Sequence, residues 1–374
     1  MKLPLLIAFL LSSFLCAAQN FYLLAGTYTG SGSKGIYVYR FNAQTGKATL
    51  VNSTDSSTSP SYLIVSANGN FVYAVNETGG VNPGRVSAFS FNRNNGALKL
   101  LNSEFSGGDD PCHLATSVNG KWLLVANYTG GSLSAFPLNK DGSLNPYTQL
   151  IQDSGTSINK ERQEKAHVHA VVFSPDGGYL FTPDLGMDKV MIYKFNPLKK
   201  EPLTASSPAY VKATPGNGPR HIAFHPNKKF AYLINELSGS VITYSYTNGK
   251  LTEVQQVITH PKEYTGVPGS AEIFTSQDGK FLYASNRGDE NTITIFSINP
   301  STGKLKLAGY QPTLGKTPRS FVIDPTGNYL LVANQDTDNI VIFKRNRQTG
   351  LLKETKEQIH VSKPVCLQMI STGK

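Results

Sequence analysis

Short runs of alternating apolar and polar residues fill this chain, with tight-turn dipeptides standing between them. The stretch PSYLIVSANGNFVYAVNE (60–77) shows the unit: one alternating run, Asn68-Gly69, then a second alternating run. Period-two alternation about an Asn-Gly pair predicts a β-hairpin. The same hairpin recurs as PCHLATSVNGKWLLVANY and PRSFVIDPTGNYLLVANQ. Alternating stretches such as GRVSAFSF, GSLSAFPL and NIVIFKRN follow, and then a further turn signal such as NNGALKLLN, KDGSLNPYT or QTGLLKETK. Each copy therefore reads as four strands.

The turn positions Gly69, Gly120, Gly177, Lys228, Gly279 and Gly327 lie 51, 57, 51, 51 and 48 residues apart. A period of about 50 residues made of four antiparallel strands is a propeller blade rather than a helical solenoid. Six copies start near residues 60, 111, 168, 219, 270 and 318, and the two ends supply a seventh. FYLLAGTYTG matches the second strand, GIYVYRFNAQTG the third and ATLVNS the fourth, whereas the C-terminal PVCLQMIS matches the first. The expected fold is all-β: a seven-bladed β-propeller with four antiparallel strands per blade, closed by the C-terminal strand joining the N-terminal blade. Such closure removes two free sheet edges.

Composition adds an address. MKLPLLIAFLLSSFLCAAQ places Lys2 before an apolar run that ends at Cys16-Ala17-Ala18, the pattern of a secretory signal peptide. Residues 1–18 are expected to be removed, leaving one propeller domain, 19–374, exported to the periplasm or outside the cell. Lipidation at Cys16 is disfavoured by the bulky Leu15 before it. No later segment is apolar enough to span a membrane. The remaining cysteines, Cys112 and Cys366, start inner strands two blades apart, so two free thiols are expected. The net charge of +10 is scattered along the turns, which argues against a nucleic-acid partner. A monomer without cofactor is expected.

Two motifs fail on context. Gly30-Ser31-Gly32-Ser33-Lys34-Gly35 satisfies G-x-G-x-x-G, yet a strand-like IYVYRF follows where a dinucleotide site needs a helix. His167 and His169 share one strand face, but nothing nearby in sequence completes a metal set.

Candidate chemistry lies where polar residues vary between copies. In PRHIAFHPNKKFAYLINE (219–236), a turn near Asn227-Lys228 sets Arg220 opposite Glu236. The same offset pairs Ser61 with Glu77, Cys112 with Tyr128, His169 with Leu185, Ala271 with Arg287 and Arg319 with Gln335. With the first strand innermost, both columns converge on one mouth of the channel. His169, Arg220, Glu236 and Arg287 come from three successive blades and could face one volume. The Asn or Asp that ends each second strand (76, 127, 184, 235, 286, 334) repeats and reads as structural.

The strings HVHAVVFSPDGGYLFTPDLGMDKV, GNGPRHIAFHPNKKFAYLINELSGSV and DGKFLYASNRGDENTITIFSI resemble the lactonase family of seven-bladed propellers, the 6-phosphogluconolactonase type. Its relatives include the carboxy-cis,cis-muconate cyclases. The resemblance runs from about residue 21 to the C-terminus. It implies a catalytic set of His169, Arg220, Glu236 and Arg287, with Glu77, His113, Tyr128, His221 and Arg319 expected to bind substrate.

Lactone hydrolysis needs a base for water, which suits His169, and donors for the developing oxyanion, which suits Arg220 or Arg287. The other arginine could hold a phosphate or carboxylate, and Glu236 could orient Arg220 or act as an acid. Export sits poorly with a phosphorylated substrate, so the expected partner is a small acidic lactone. The alternatives are a lactone-forming cyclase and a non-catalytic exported propeller that binds an anion or a protein.

Overall fold

The computed structural model describes residues 20–30 and 32–372; the expected leader lies outside them. Seven four-stranded antiparallel sheets surround a channel. Strand Pro364–Ser371 pairs with Asn20–Thr27, which pairs on to Ile36–Asn42 and Ala48–Thr54, so the last strand of the chain completes the first blade. The other six have inner strands Leu63–Val65, Pro111–Thr116, Val172–Phe173, Pro219–Phe224, Ser270–Thr275 and Pro318–Ile323. Glycines 30, 32 and 35 lie in the loop between Asn20–Thr27 and Ile36–Asn42.

The alternation read from the sequence is what packs the ring. Every second strand is buried on both faces because each blade is sandwiched between two others, and seven separate apolar clusters fill the seven blade junctions. Outer turns lock onto the preceding blade. Gly142 (φ +85°) lies against the ring of Phe71 and Gly350 (φ +75°) against Phe281, so a side chain at either glycine would meet an aromatic ring as well as an unfavourable φ.

The Asn that ends the second strand is structural, as its repetition suggested. Asn286 Nδ2 donates to Thr259 O at 2.9 Å and Asn334 Nδ2 to Thr313 O at 3.1 Å, tying these two second strands to the chain that enters their blades. One blade has Asp184 there. Its Oδ1 accepts from the N–H groups of His167 and Met187, while Oδ2 is buried and accepts no hydrogen bond among the described residues. Burial, assisted by Asp153, lifts this carboxyl to about 7. A raised folded-state value means that stability is lost as pH rises through it. Asp184→Asn is therefore expected to stabilise the protein by about 1–3 kcal/mol at pH 8 and by much less at pH 5, as thermal melts at the two pH values would show.

The inner hairpins correct one expectation. Arg220 does not stand opposite Glu236: Pro219 pairs with Asn235 and His221 with Ile234, leaving Arg220 as the extra residue of a bulge. The same shift leaves out Cys112 between Pro111 and His113, and Arg319 between Pro318 and Ser320. A bulge breaks simple alternation and re-aims side chains. Here it lets two consecutive residues serve the site differently: Arg220 backs Glu236, whereas His221 joins the layer of rings below.

Candidate active site in the channel mouth

Glu236 is the hub of the mouth. Its N–H donates to Gly218 O at 2.7 Å, which keeps its backbone on the ladder just beyond Asn235. Its Oε2 accepts from Arg220 Nε at 3.0 Å and lies 3.1 Å from Arg287 Nη2, while Oε1 accepts from Arg162 Nη2 at 2.8 Å. His169 Nε2 stands 3.8 Å from Oε2, beyond hydrogen-bond reach. Bulge, strand end and loop thus bring four elements to one carboxylate.

A second carboxylate faces the same space. Glu77 Oε1 accepts from Tyr28 OH at 2.8 Å, and Arg319 Nη2 lies 3.7 Å from Oε2. The Arg319 guanidinium also rests over the Tyr28 ring, 5.4 Å from its centre. Glu77 Oε2 is buried and accepts no hydrogen bond among the described residues. The cavity has a volume of about 260 Å³ and is walled by Glu77, Tyr128, His169, Glu236, Arg287 and Arg319, with Cys112 and Arg162 completing it. A larger cleft of about 670 Å³ between the turns of two neighbouring blades offers, among the described residues, Lys121, Lys140 and Tyr73 as titrating groups and no carboxylate or histidine.

Of the nine residues singled out in the sequence, six line this wall. Arg220 does not: it is 2% exposed and sits behind Glu236, with Nη1 donating to Ala271 O at 2.7 Å. His113 and His221 lie one layer deeper. His113 stacks on Tyr62 with ring centres 4.1 Å apart, and His221 stands edge-on to both His113 and His169 at 5.2 and 5.3 Å. Both face a separate cavity of about 600 Å³ on the far side of the histidine layer. His167 turns away from the channel, bonding Tyr128 O and Glu164 through its two ring nitrogens.

Three participants escaped the sequence reading. Tyr28 holds the Glu236 position in the closing blade, but Thr27 precedes it where other copies have Asn or Asp, so the column was hidden. Arg162 comes from a loop insertion that does leave a signal, the 57-residue spacing where 51 is usual. Glu272 occupies the His221 position one blade on, within that blade's own bulge.

The charges of the mouth follow from burial and proximity. Burial alone would raise the Glu236 carboxyl, but Arg287, Arg220 and Arg162 together hold it far below the usual carboxylate range. Burial, then the neighbouring Arg220, His221 and Arg319, press His169 well below an ordinary histidine, which leaves it a neutral imidazole at pH 7. Burial and Arg287 lower Arg220 to about 10, which leaves it charged. Burial pushes the Cys112 thiol up, so it stays protonated, and both described cysteines are free. Four guanidiniums against two carboxylates leave the mouth with a net positive charge, suited to an anion.

The chain's relatives agree with this architecture. Residues 22–369 match the family model described as lactonase, 7-bladed beta-propeller. A 6-phosphogluconolactonase of Formosa agariphila is 42% identical over 338 residues, covering 90% of this chain and 96% of that protein. Its counterpart of the same name in Bacillus subtilis is 36% identical over 347 residues, covering 92% and 97%. The solved structure of the periplasmic gluconolactonase of Pseudomonas aeruginosa superposes with a TM-score of 0.91 at 36% identity, covering 95% of this chain and all of that one. Ring closure, bulged inner strands and full-length similarity together establish that this chain belongs to the lactonase family of seven-bladed β-propellers.

Proposed function

We propose that the channel mouth hydrolyses an acidic sugar lactone. The observation that carries this reading is the His169 imidazole facing the same small cavity as the Arg287 and Arg319 guanidiniums, in surroundings whose burial and positive charge favour its neutral form. Its volume of about 260 Å³ is below the ~300–1,000 Å³ typical of sites for larger ligands, and is in keeping with a single sugar ring.

In the proposed reaction His169 Nε2 takes a proton from water as the water oxygen bonds to the lactone carbonyl carbon. The carbonyl oxygen gains negative charge opposite Arg287, whose position is fixed by Nε donating to Gly269 O at 2.9 Å and by Glu236. Collapse breaks the ring C–O bond, and the imidazolium returns its proton to the departing ring oxygen. Arg319 suits the substrate's phosphate or carboxylate, and Glu77 Oε2 suits a sugar hydroxyl that needs an acceptor. Arg220, screened from the cavity, holds Glu236 rather than the substrate. The family names of the relatives support lactone as the substrate class, and the periplasmic Pseudomonas relative supports an exported protein.

Proton release on mixing with glucono-δ-lactone and with its 6-phosphate tests the proposal. Acceleration beyond the spontaneous rate is expected, with kcat/KM about tenfold or more higher for the anionic lactone. A folded protein silent on both would favour an exported binder instead.

A further inference from the structure

Beneath the mouth lies a buried carboxylate that the proposed reaction does not use. Glu272 is 6% exposed and sits in the bulge of strand Ser270–Thr275, where its N–H donates to Ser285 Oγ at 3.0 Å. Its side chain belongs to the far cavity, not to the mouth. Burying a carboxylate is costly unless it is well paired, so its partners identify its task. Oε1 accepts from Ile273 N–H at 3.0 Å and stands 2.8 Å from His221 Nδ1.

His221 in turn carries Arg220. Arg220 Nη1 lies 3.1 Å from His221 Nε2 and 3.4 Å from Nδ1, so the guanidinium rests against the imidazole. The same Nη1 donates to Ala271 O, the residue beside Glu272. One strand therefore grips Arg220 twice, directly through a carbonyl and indirectly through an imidazole. Arg220 then donates to the Glu236 oxygen that faces His169.

We propose that Glu272 is a positioning residue that acts through the His221 imidazole on Arg220, and through Arg220 on the orientation of Glu236 beside His169. The proposal rests on the lactonase reading for its kinetic consequence, but its structural step does not. Burial lifts the Glu272 carboxyl to about 7, against the opposing pull of Arg220, so at pH 8 it is largely ionised and can only accept. His221, which burial and Arg220 keep neutral, must then carry its proton on Nδ1. Without that acceptor the ring is released, and with it the surface on which Arg220 lies.

The test compares Glu272→Gln, whose amide oxygen can still accept from Nδ1–H, with Glu272→Leu, which cannot. At pH 8 the ¹⁵N NMR signals of His221 are expected to report the Nδ1–H tautomer in the parent and in Glu272→Gln, but not in Glu272→Leu. On a lactone turned over by the parent, Glu272→Leu is expected to lower kcat about tenfold or more with KM within about threefold, while Glu272→Gln stays within about threefold of the parent. Adding His221→Phe to Glu272→Leu should cost little further, because both act on the same arginine. An unchanged tautomer in Glu272→Leu overturns the contact whether or not any lactone is hydrolysed. A changed tautomer with kcat preserved, or Glu272→Gln as impaired as Glu272→Leu, overturns the positioning role.

Discussion

Glu236→Gln is expected to lower stability by about 3–5 kcal/mol at pH 7 and to remove turnover, the largest effect of any single change in the mouth. The variant leaves Arg162, Arg220 and Arg287 crowded together without a counter-charge, and Arg220 has no solvent to relax into. Loss of one partner of a buried pair exposes the full cost of the partner left behind. The pH dependence gives this result a second signature. Because the folded-state carboxyl lies below its unfolded value of about 4.3, its contribution is complete above that value and is lost as the pH falls toward the folded one. The gap between parent and variant should be full at pH 7 and narrower at pH 3.5. Urea melts at both values measure it, and equal stability at pH 7 would show that the arginines are not held by this carboxylate.

His169→Ala is expected to reduce kcat by about 10²–10⁴ while leaving the fold intact, since the side chain makes no hydrogen bond to Glu236 and its other contacts are edge-on rings and a long contact to Cys112 Sγ. Burial and the neighbouring guanidiniums hold His169 neutral to well below pH 6.5. The acid limb of kcat/KM that belongs to this group should therefore lie well below the ordinary histidine value. Full activity in the alanine variant would remove His169 from the reaction. An acid limb near 6.5 would place a different group in its role.

The fold was legible because six copies repeat one pattern: a hairpin with Gly or Lys at the turn, apolar residues where blades meet, and an Asn or Asp closing the second strand. Even the split blade could be recognised, since PVCLQMIS carries an inner-strand pattern that nothing else in the chain could complete. The mouth was legible in its columns, because variation among copies at Arg220, Glu236 and Arg287 stood out against that repetition.

The depth of those residues was not legible. A bulge adds one residue to a strand with no turn dipeptide or spacing change to mark it, so counting from the turn sets Arg220 opposite Glu236 when it is the unpaired residue. That one-residue shift also decides that Arg220 buttresses Glu236 from behind, and that His113 and His221 form a lower layer with Tyr62 and Glu272. Arg162 depends on where a long loop folds back, which no strand periodicity encodes.

The most direct measurement is a crystal structure grown with 6-phosphogluconate, the hydrolysed form of the phosphorylated lactone. Its phosphate is expected against Arg319 and its carboxylate between Arg287 and His169 Nε2, with a sugar hydroxyl on Glu77. Product seated in the far cavity beside Glu272, or bound only on the outer surface with the mouth arginines untouched, would contradict a reaction centred on Glu236 and His169.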